Sequence, residues 1–412
     1  MAEQPPATPP AETPSRSAGR TPLPADKLSA ISGADQARSR ELLGDLNIVV
    51  SPEPGAALIR EWDELVRRTV NTDVAQLSAW AAVRALAGYD PLYLLARSGS
   101  RVIGGGLVLW RKVRGFGQIG YLPYGPVLDD DLGGARPVVR NLLTSALVSL
   151  AHSRGALFVQ PLDGGEDVTI DLLRQGFRFS QAGIAPAATM RVDLTQTEDE
   201  LRANLNRRLR TWTRQWAQRG VKVRVGDERD IPMLTRLAAS TAHFQGFEPF
   251  PREYLDALYH QLSDGENVVL LLGELDGEPV AAELLTGVGG VLKSRITGMD
   301  RSSPQTQKLN VASAMIWEAI CWGKANGYRA FDFGGLRPES VAALRSAGPV
   351  DQEALAGPDM FKAKFGGEAW VYPPAVELIS SRVVRAGYDL LRHNDGGQKV
   401  IAKVREMLRG GR

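Results

Sequence analysis

The side chains best suited to chemistry fall in four short segments. From Arg202 to Gly226 the chain carries Arg202, Arg207, Arg208, Arg210, Arg214, Arg219, Lys222 and Arg224 with no acidic residue between them. Guanidinium forks bind phosphate oxygens in pairs, so such a block suits a diphosphate or a nucleic-acid backbone. A solvated helix face is the plainer reading. The run Phe361-Lys362-Ala363-Lys364-Phe365-Gly366-Gly367 is the second segment. Alternation there predicts an extended stretch with Lys362 and Lys364 on one side, where a lysine could hold a phosphate or steady an oxyanion. Tyr121-Leu122-Pro123-Tyr124-Gly125-Pro126 is a stiff loop whose Tyr121 and Tyr124 could hydrogen-bond a sugar or a peptide. Asp332, before Gly334-Gly335, could act as a base or orient a loop; a structural aspartate is the alternative.

Other chemistries find little support. The four histidines, His152, His243, His260 and His393, have no metal-ligand spacing with a cysteine or carboxylate. No nucleophile elbow is present. The single cysteine, Cys321, sits in an apolar helical pattern and reads as a core thiol in a reducing compartment. Asp332-Phe333-Gly334 lacks every companion motif of a kinase. Arg101-Val102-Ile103-Gly104-Gly105-Gly106 matches a CoA-pyrophosphate loop, but it runs into the strand-like Leu107–Trp110 instead of opening a helix. No cofactor and no metal are expected.

The elements that position these residues form two units. The chain of 412 residues is long enough for two domains, and its 43% hydrophobic and 23% charged content is that of a globular protein. Its net charge is only +2, so any basic surface is local. Residues 1–45, rich in Pro, Ala, Ser and Thr, are expected to be a disordered tail. Residues 46–195 read as helices, an antiparallel meander, then a helix and a strand. Residues 196–375 repeat that order, beginning with a long helix over Glu198–Arg219. Leu94 aligns with Leu271, and Ile103 with Val280, at a common offset of 177. This predicts an α/β (α+β) fold of two tandem GNAT-like acyltransferase domains. Residues 376–412 read as two basic amphipathic helices, able to rest on an anionic membrane or help hold tRNA. No apolar run reaches the roughly 20 residues of a bilayer span, and no secretory signal is evident, so a cytoplasmic protein is expected.

Two of these segments, Gly120–Pro126 and Phe361–Gly367, with Tyr328-Arg329-Ala330-Phe331-Asp332-Phe333-Gly334-Gly335 around Asp332 and the run Leu309–Gly327, resemble the Fem proteins, which build interpeptide bridges on peptidoglycan precursors. The resemblance covers about residues 46–390 in the right order. It implies an aminoacyl-tRNA donor and an acceptor amine on a muropeptide nucleotide or lipid-linked precursor; DNA is not an expected partner. It implies that Arg207, Arg208 and Arg210 contact acceptor phosphates, and that the loop of Tyr121 and Tyr124 lines the acceptor site. It also places Lys362 near the tRNA end or the acceptor. Lys362 and Asp332 are the catalytic candidates, and Lys364 is a further candidate for binding substrate. An acyl-CoA-dependent N-acyltransferase and a catalytically silent binding pair are the competing readings.

Overall fold

The computed structural model describes residues 41–345 and 357–409, together with Ser39 and Leu355. The expected N-terminal tail lies almost wholly outside the described residues.

The first half contains β1 (Leu46–Ser51), α1 (Ala56–Arg68), α2 (Ser78–Ala85), β2 (Asp90–Ser98), β3 (Arg101–Val113), β4 (Gly117–Leu122), β5 (Val127–Leu128), α3 (Arg136–Arg154), β6 (Ala156–Val159), α4 (Glu166–Arg174) and β7 (Arg178–Phe179). After β8 (Ala188–Asp193) come α5 (Glu198–Asn204), α6 (Arg207–Trp212), β9 (Val221–Val225), α7 (Ile231–Gln245), α8 (Arg252–Ser263), β10 (Val268–Leu275), β11 (Glu278–Val288) and β12 (Val291–Met299). The chain continues through α9 (Pro304–Lys308), α10 (Val311–Ala325), β13 (Ala330–Gly335), α11 (Pro338–Arg345), α12 (Pro358–Ala363), β14 (Glu368–Val371), β15 (Val376–Ile379), α13 (Arg382–Arg392) and α14 (Asp395–Arg409).

Two sheets result, and they are wound alike. The first runs β1-β2-β3-β4-β6-β15-β7, with β5 paired to β3; the second runs β9-β10-β11-β12-β13-β8-β14. In each, four antiparallel strands are followed by a parallel pair, β4 with β6 and β12 with β13. The β10–β11 hairpin turns at Asp276-Gly277, both in the left-handed region (φ 53° and 89°) that a tight two-residue hairpin turn demands. Each sheet has a private apolar core on one face: α3 and α4 cover the first, α10 the second. The opposite faces share a third core, where Trp62 and Leu65 of α1 belong to the same buried cluster as Leu234 and Leu237 of α7. The twin fold is thus as the sequence predicts.

Three local expectations fail. The helix over Glu198–Arg219 is broken: Leu205 is extended (ψ 150°), and Asn206 caps a new helix by accepting from the Leu209 amide at 3.0 Å. The apolar stripe survives the break, with Leu201, Leu205, Leu209 and Trp216 all buried. Lys362 and Lys364 do not lie on an extended segment, since Lys362 is in α12 and Lys364 caps it. The C-terminal region begins with a strand, β15, rather than a helix.

The sequence boundaries put β8 with the first domain and cut before β15. In the structure β8 is a strand of the second sheet and β15 of the first, so the halves exchange strands.

Candidate functional site

Strand β13 carries Asp332 into the seam between the two halves. Its carboxylate is fully buried. Arg191 Nε of β8 donates to one oxygen at 3.0 Å and the Tyr372 hydroxyl to the same oxygen at 3.2 Å. The Gly334 amide donates to the other at 2.8 Å, as does the Thr189 hydroxyl. Burial opposes the charge, but Lys293 and Arg191 outweigh it and hold the carboxyl below its usual range. A carboxylate so occupied is a fixed anion that orients its neighbours and a poor proton acceptor.

Next to it lies a buried ion cluster that the sequence reading missed. Asp73, just before α2, receives Lys293 Nζ at 3.0 Å and the Arg295 guanidinium, both from β12. Burial works against the Asp73 carboxylate, yet Arg295 and Lys293 drive its pKa far down. The Lys293 ammonium, raised well above its ordinary value against the same burial penalty, stands 4.6 Å from the Tyr124 ring centroid. Tyr124 in turn packs on Tyr372 with centroids 5.3 Å apart. A small polar cavity is lined by Asp73, Tyr124, Arg191, Lys293, Asp332 and Tyr372. The available signal was slight: Lys293 and Arg295 are two residues apart in a strand, hence on one face of an otherwise apolar stretch.

Lys362 is mostly buried, its side chain 15% exposed. Its ammonium donates to the Gly335 carbonyl, at the end of the strand that bears Asp332, and lies 3.8 Å from Asp359. Burial pulls its pKa down; Asp359 and Asp332 resist. The loop after α12 turns at Gly366 (φ 77°), where a Cβ would sit 2.6 Å from the Asn204 carbonyl. That approach brings the Lys364 carbonyl within 2.9 Å of the Asn206 amide, the residue that starts α6.

The break between α5 and α6 therefore joins the lysine segment to the arginines. Arg207, Arg210 and Arg214 line one open concavity with Arg202 and Asp199. Among the described residues none of Arg207, Arg210 and Arg214 has a carboxylate partner, although Arg210 donates to the Ala203 carbonyl at 2.9 Å. Arg208 points elsewhere, stacking its guanidinium 4.7 Å from the Trp212 ring centroid.

So Asp332, Lys362, Lys364, Arg207 and Arg210 are linked through β13, α12 and α6, and Tyr124 reaches Asp332 through Tyr372. Tyr121 stands apart in a mostly apolar cleft with Phe158, Phe179, Val371 and Pro373, though Tyr372 also lines it. Burial pushes the Cys321 thiol up to about 12, which suits a packed side chain and not a nucleophile. The Arg101–Gly106 match lies inside β3, and the five-residue helix α9 with left-handed Asn310 (φ 53°) stands where a phosphate loop would open α10. Among the described residues no group of three or more His, Cys, Asp or Glu could hold a metal ion.

Comparison with known proteins bears on this arrangement. An acetyltransferase (GNAT) domain model matches residues 184–340, from just before β8 into α11. The chain is 26% identical over 233 residues to a lipid II:glycine glycyltransferase of Staphylococcus epidermidis, covering 54% of this chain and 55% of that one. It is 26% identical over 229 residues to the Staphylococcus aureus protein of the same name, covering 53% and 54%. The chain thus spans about half the length of the curated relatives it matches. Among solved structures, FemX superposes with a TM-score of 0.67 at 18% identity, over 81% of this chain and 98% of that one. The L-PGS structure from Bacillus licheniformis superposes with a TM-score of 0.51 at 14% identity, over 87% and 98%. The chain, with its two GNAT-fold halves, is thus similar to FemX in fold and, over about half of its length, to the lipid II:glycine glycyltransferases in sequence.

Proposed function

We propose that this protein transfers an amino acid from an aminoacyl-tRNA to an amine of a peptidoglycan precursor, forming an amide bond. The donor carboxyl arrives as an ester, already activated, so the protein's task is placement and charge stabilisation. The acceptor's phosphates sit on Arg207 and Arg210, while Arg208, turned onto Trp212, is left out of that contact. Lys362, held at the end of β13, faces the carbonyl oxygen as negative charge develops on it. Lys364 steers the tRNA end. Asp332 acts as a positioning anion that fixes Arg191, Tyr372 and, through Tyr372, Tyr124; the attacking amine gives its proton to water or to the substrate. Tyr121 and Tyr124 line the acceptor's peptide path.

One observation carries this reading: the Asn206–Lys364 backbone hydrogen bond joins the segment of Lys362 and Lys364 to the start of α6, whose Arg207 and Arg210 have no carboxylate partner among the described residues, an arrangement suited to phosphate-bearing substrates. The lipid II:glycine glycyltransferases support a lipid-linked acceptor, which would bring the protein against the inner membrane surface. The missing phosphate loop before α10 speaks against acyl-CoA as the donor.

The test is reconstitution with purified aminoacyl-tRNA and muropeptide acceptors, followed by mass spectrometry. Product formation should be abolished by ribonuclease. Undiminished product after ribonuclease, or product formed from acyl-CoA alone, overturns the proposal.

A further inference from the structure

The C-terminal hairpin has properties that aminoacyl transfer does not use. Helices α13 and α14 both cover the face of the first sheet that looks toward the shared core. Beneath them lies a cavity of about 40 Å³, lined by Phe116, Ile119, Phe158, Ile184, Val384 and Val404. Tyr388 also lines it, only 6% exposed, and its hydroxyl has no hydrogen-bond partner among the described residues. That hydroxyl does not open into the cavity, whose accessible surface is wholly apolar and therefore suits an apolar group.

The cavity adjoins a basic groove. Arg405 and Ile401 line both, and Arg392, His393 and Lys399 continue the groove toward solvent, with Asp395 in its lining and Asp389 4.0 Å from Arg392. Arg392 is held by the Gln181 amide oxygen, while Lys399 and Arg405 have no carboxylate partner among the described residues. The outer surface of the hairpin is amphipathic too. Val383 and Leu390, seven residues apart on α13, are 82% and 70% exposed, and Val400 of α14 lies between the exposed Lys399 and Lys403. Exposed aliphatic side chains on a helix that also carries exposed lysines are the signature of a helix that lies in an anionic bilayer surface.

We infer that the α13–α14 hairpin binds an anionic phospholipid of the membrane, the headgroup phosphate in the Arg392–Lys399–Arg405 groove and the proximal part of a chain in the cavity beneath Tyr388. Val383 and Leu390 then sink among neighbouring lipids. This deepens the membrane contact of the proposed function but depends on neither the donor nor the acceptor.

Co-sedimentation of the full chain with phosphatidylcholine vesicles, with and without phosphatidylglycerol, is the test. Binding should require phosphatidylglycerol and weaken as salt is raised. Lys399→Glu combined with Arg405→Glu should weaken it at least about ten-fold, and Leu390→Asp should do likewise. Val404→Phe, which narrows the cavity, should weaken binding of a short-chain, water-soluble phosphatidylglycerol. Thermal melting of each variant reports folding, and the exposed Leu390 site gives a readout even where a buried change unfolds the chain. Equal binding to neutral vesicles, full binding by the charge-reversed variant, or displacement by inorganic phosphate as effective as by lipid would overturn the inference. Transfer to a water-soluble acceptor, measured alongside, should be unchanged in these variants, so failure here and failure of the acyltransferase reading are told apart.

Discussion

Lys293 Nζ lies 3.0 Å from Asp73 Oδ2, a buried ion pair between residues 220 positions apart that ties the two halves together. Removing one partner leaves the other charge buried and uncompensated. Asp73→Ala should therefore cost about 3–5 kcal/mol, read by denaturant unfolding, because it strands both Lys293 and Arg295. The paired change of Asp73→Asn with Lys293→Met should recover part of that loss. The pH sign follows from the depressed Asp73 pKa. Its stabilisation is present above the ordinary carboxylate value of 3.8 and is lost as pH falls through the lower folded value. Loss of the wild-type acid dependence in Asp73→Asn checks this.

Glu283 of β11 predicts the opposite trend. It is fully buried, and burial pushes its pKa up to about 7 from 4.5, against hydrogen bonds from Ser294 and Thr297. Between those values the unfolded chain releases a proton that the folded chain keeps, so stability falls as pH rises from about 4.5 to about 7. Glu283→Gln should flatten that slope and raise the melting temperature at neutral pH. A melting curve as pH-dependent as the wild type's would count against it.

Arg207→Ala with Arg210→Ala should raise the KM for a phosphate-bearing acceptor by about ten-fold or more, equivalent to about 1.4 kcal/mol, with a smaller effect on kcat. Both side chains are exposed, so the melting temperature should not move. Steady-state kinetics at two salt concentrations give the check, since phosphate contacts weaken with salt.

Lys362→Met should lower kcat by about 10²–10³ if its ammonium meets the developing oxyanion, leaving the acceptor KM nearly unchanged. Its pKa lies below the usual 10.5, so the cation is lost, and activity with it, at a lower pH than for an exposed lysine. Lys362→Arg should move the alkaline limb of the pH–rate profile upward while restoring part of kcat.

Much of the fold was legible because it is written in local signals. Asp276-Gly277 marks a hairpin, Gly155 and Gly327 end helices, and apolar runs such as Leu92–Ala96 mark buried strands. The broken helix at Leu205 was not, because its apolar stripe keeps helical spacing across the break and only the Asn206 cap interrupts it. Lys362 and Lys364 alternate in sequence, yet Pro358 starts a helix there and Asp359 anchors it to Ser340. The ion cluster was least accessible. Asp73, Arg191, Lys293 and Tyr372 come from four distant segments, and only the packing of one half on the other gives their charges a reason to be buried.

The passage of β15 into the first sheet bears on how the chain acquires its shape during synthesis. Its register with β6, Val376 opposite Val159, joins residues that leave the ribosome more than two hundred positions apart. Until β15 emerges, β6 keeps an open edge toward its place, and that edge must wait through translation of the entire second half. The N-terminal portion is thus expected to finish folding only as the C-terminus is released, and a nascent chain truncated before Val376 should be bound by chaperones or degraded.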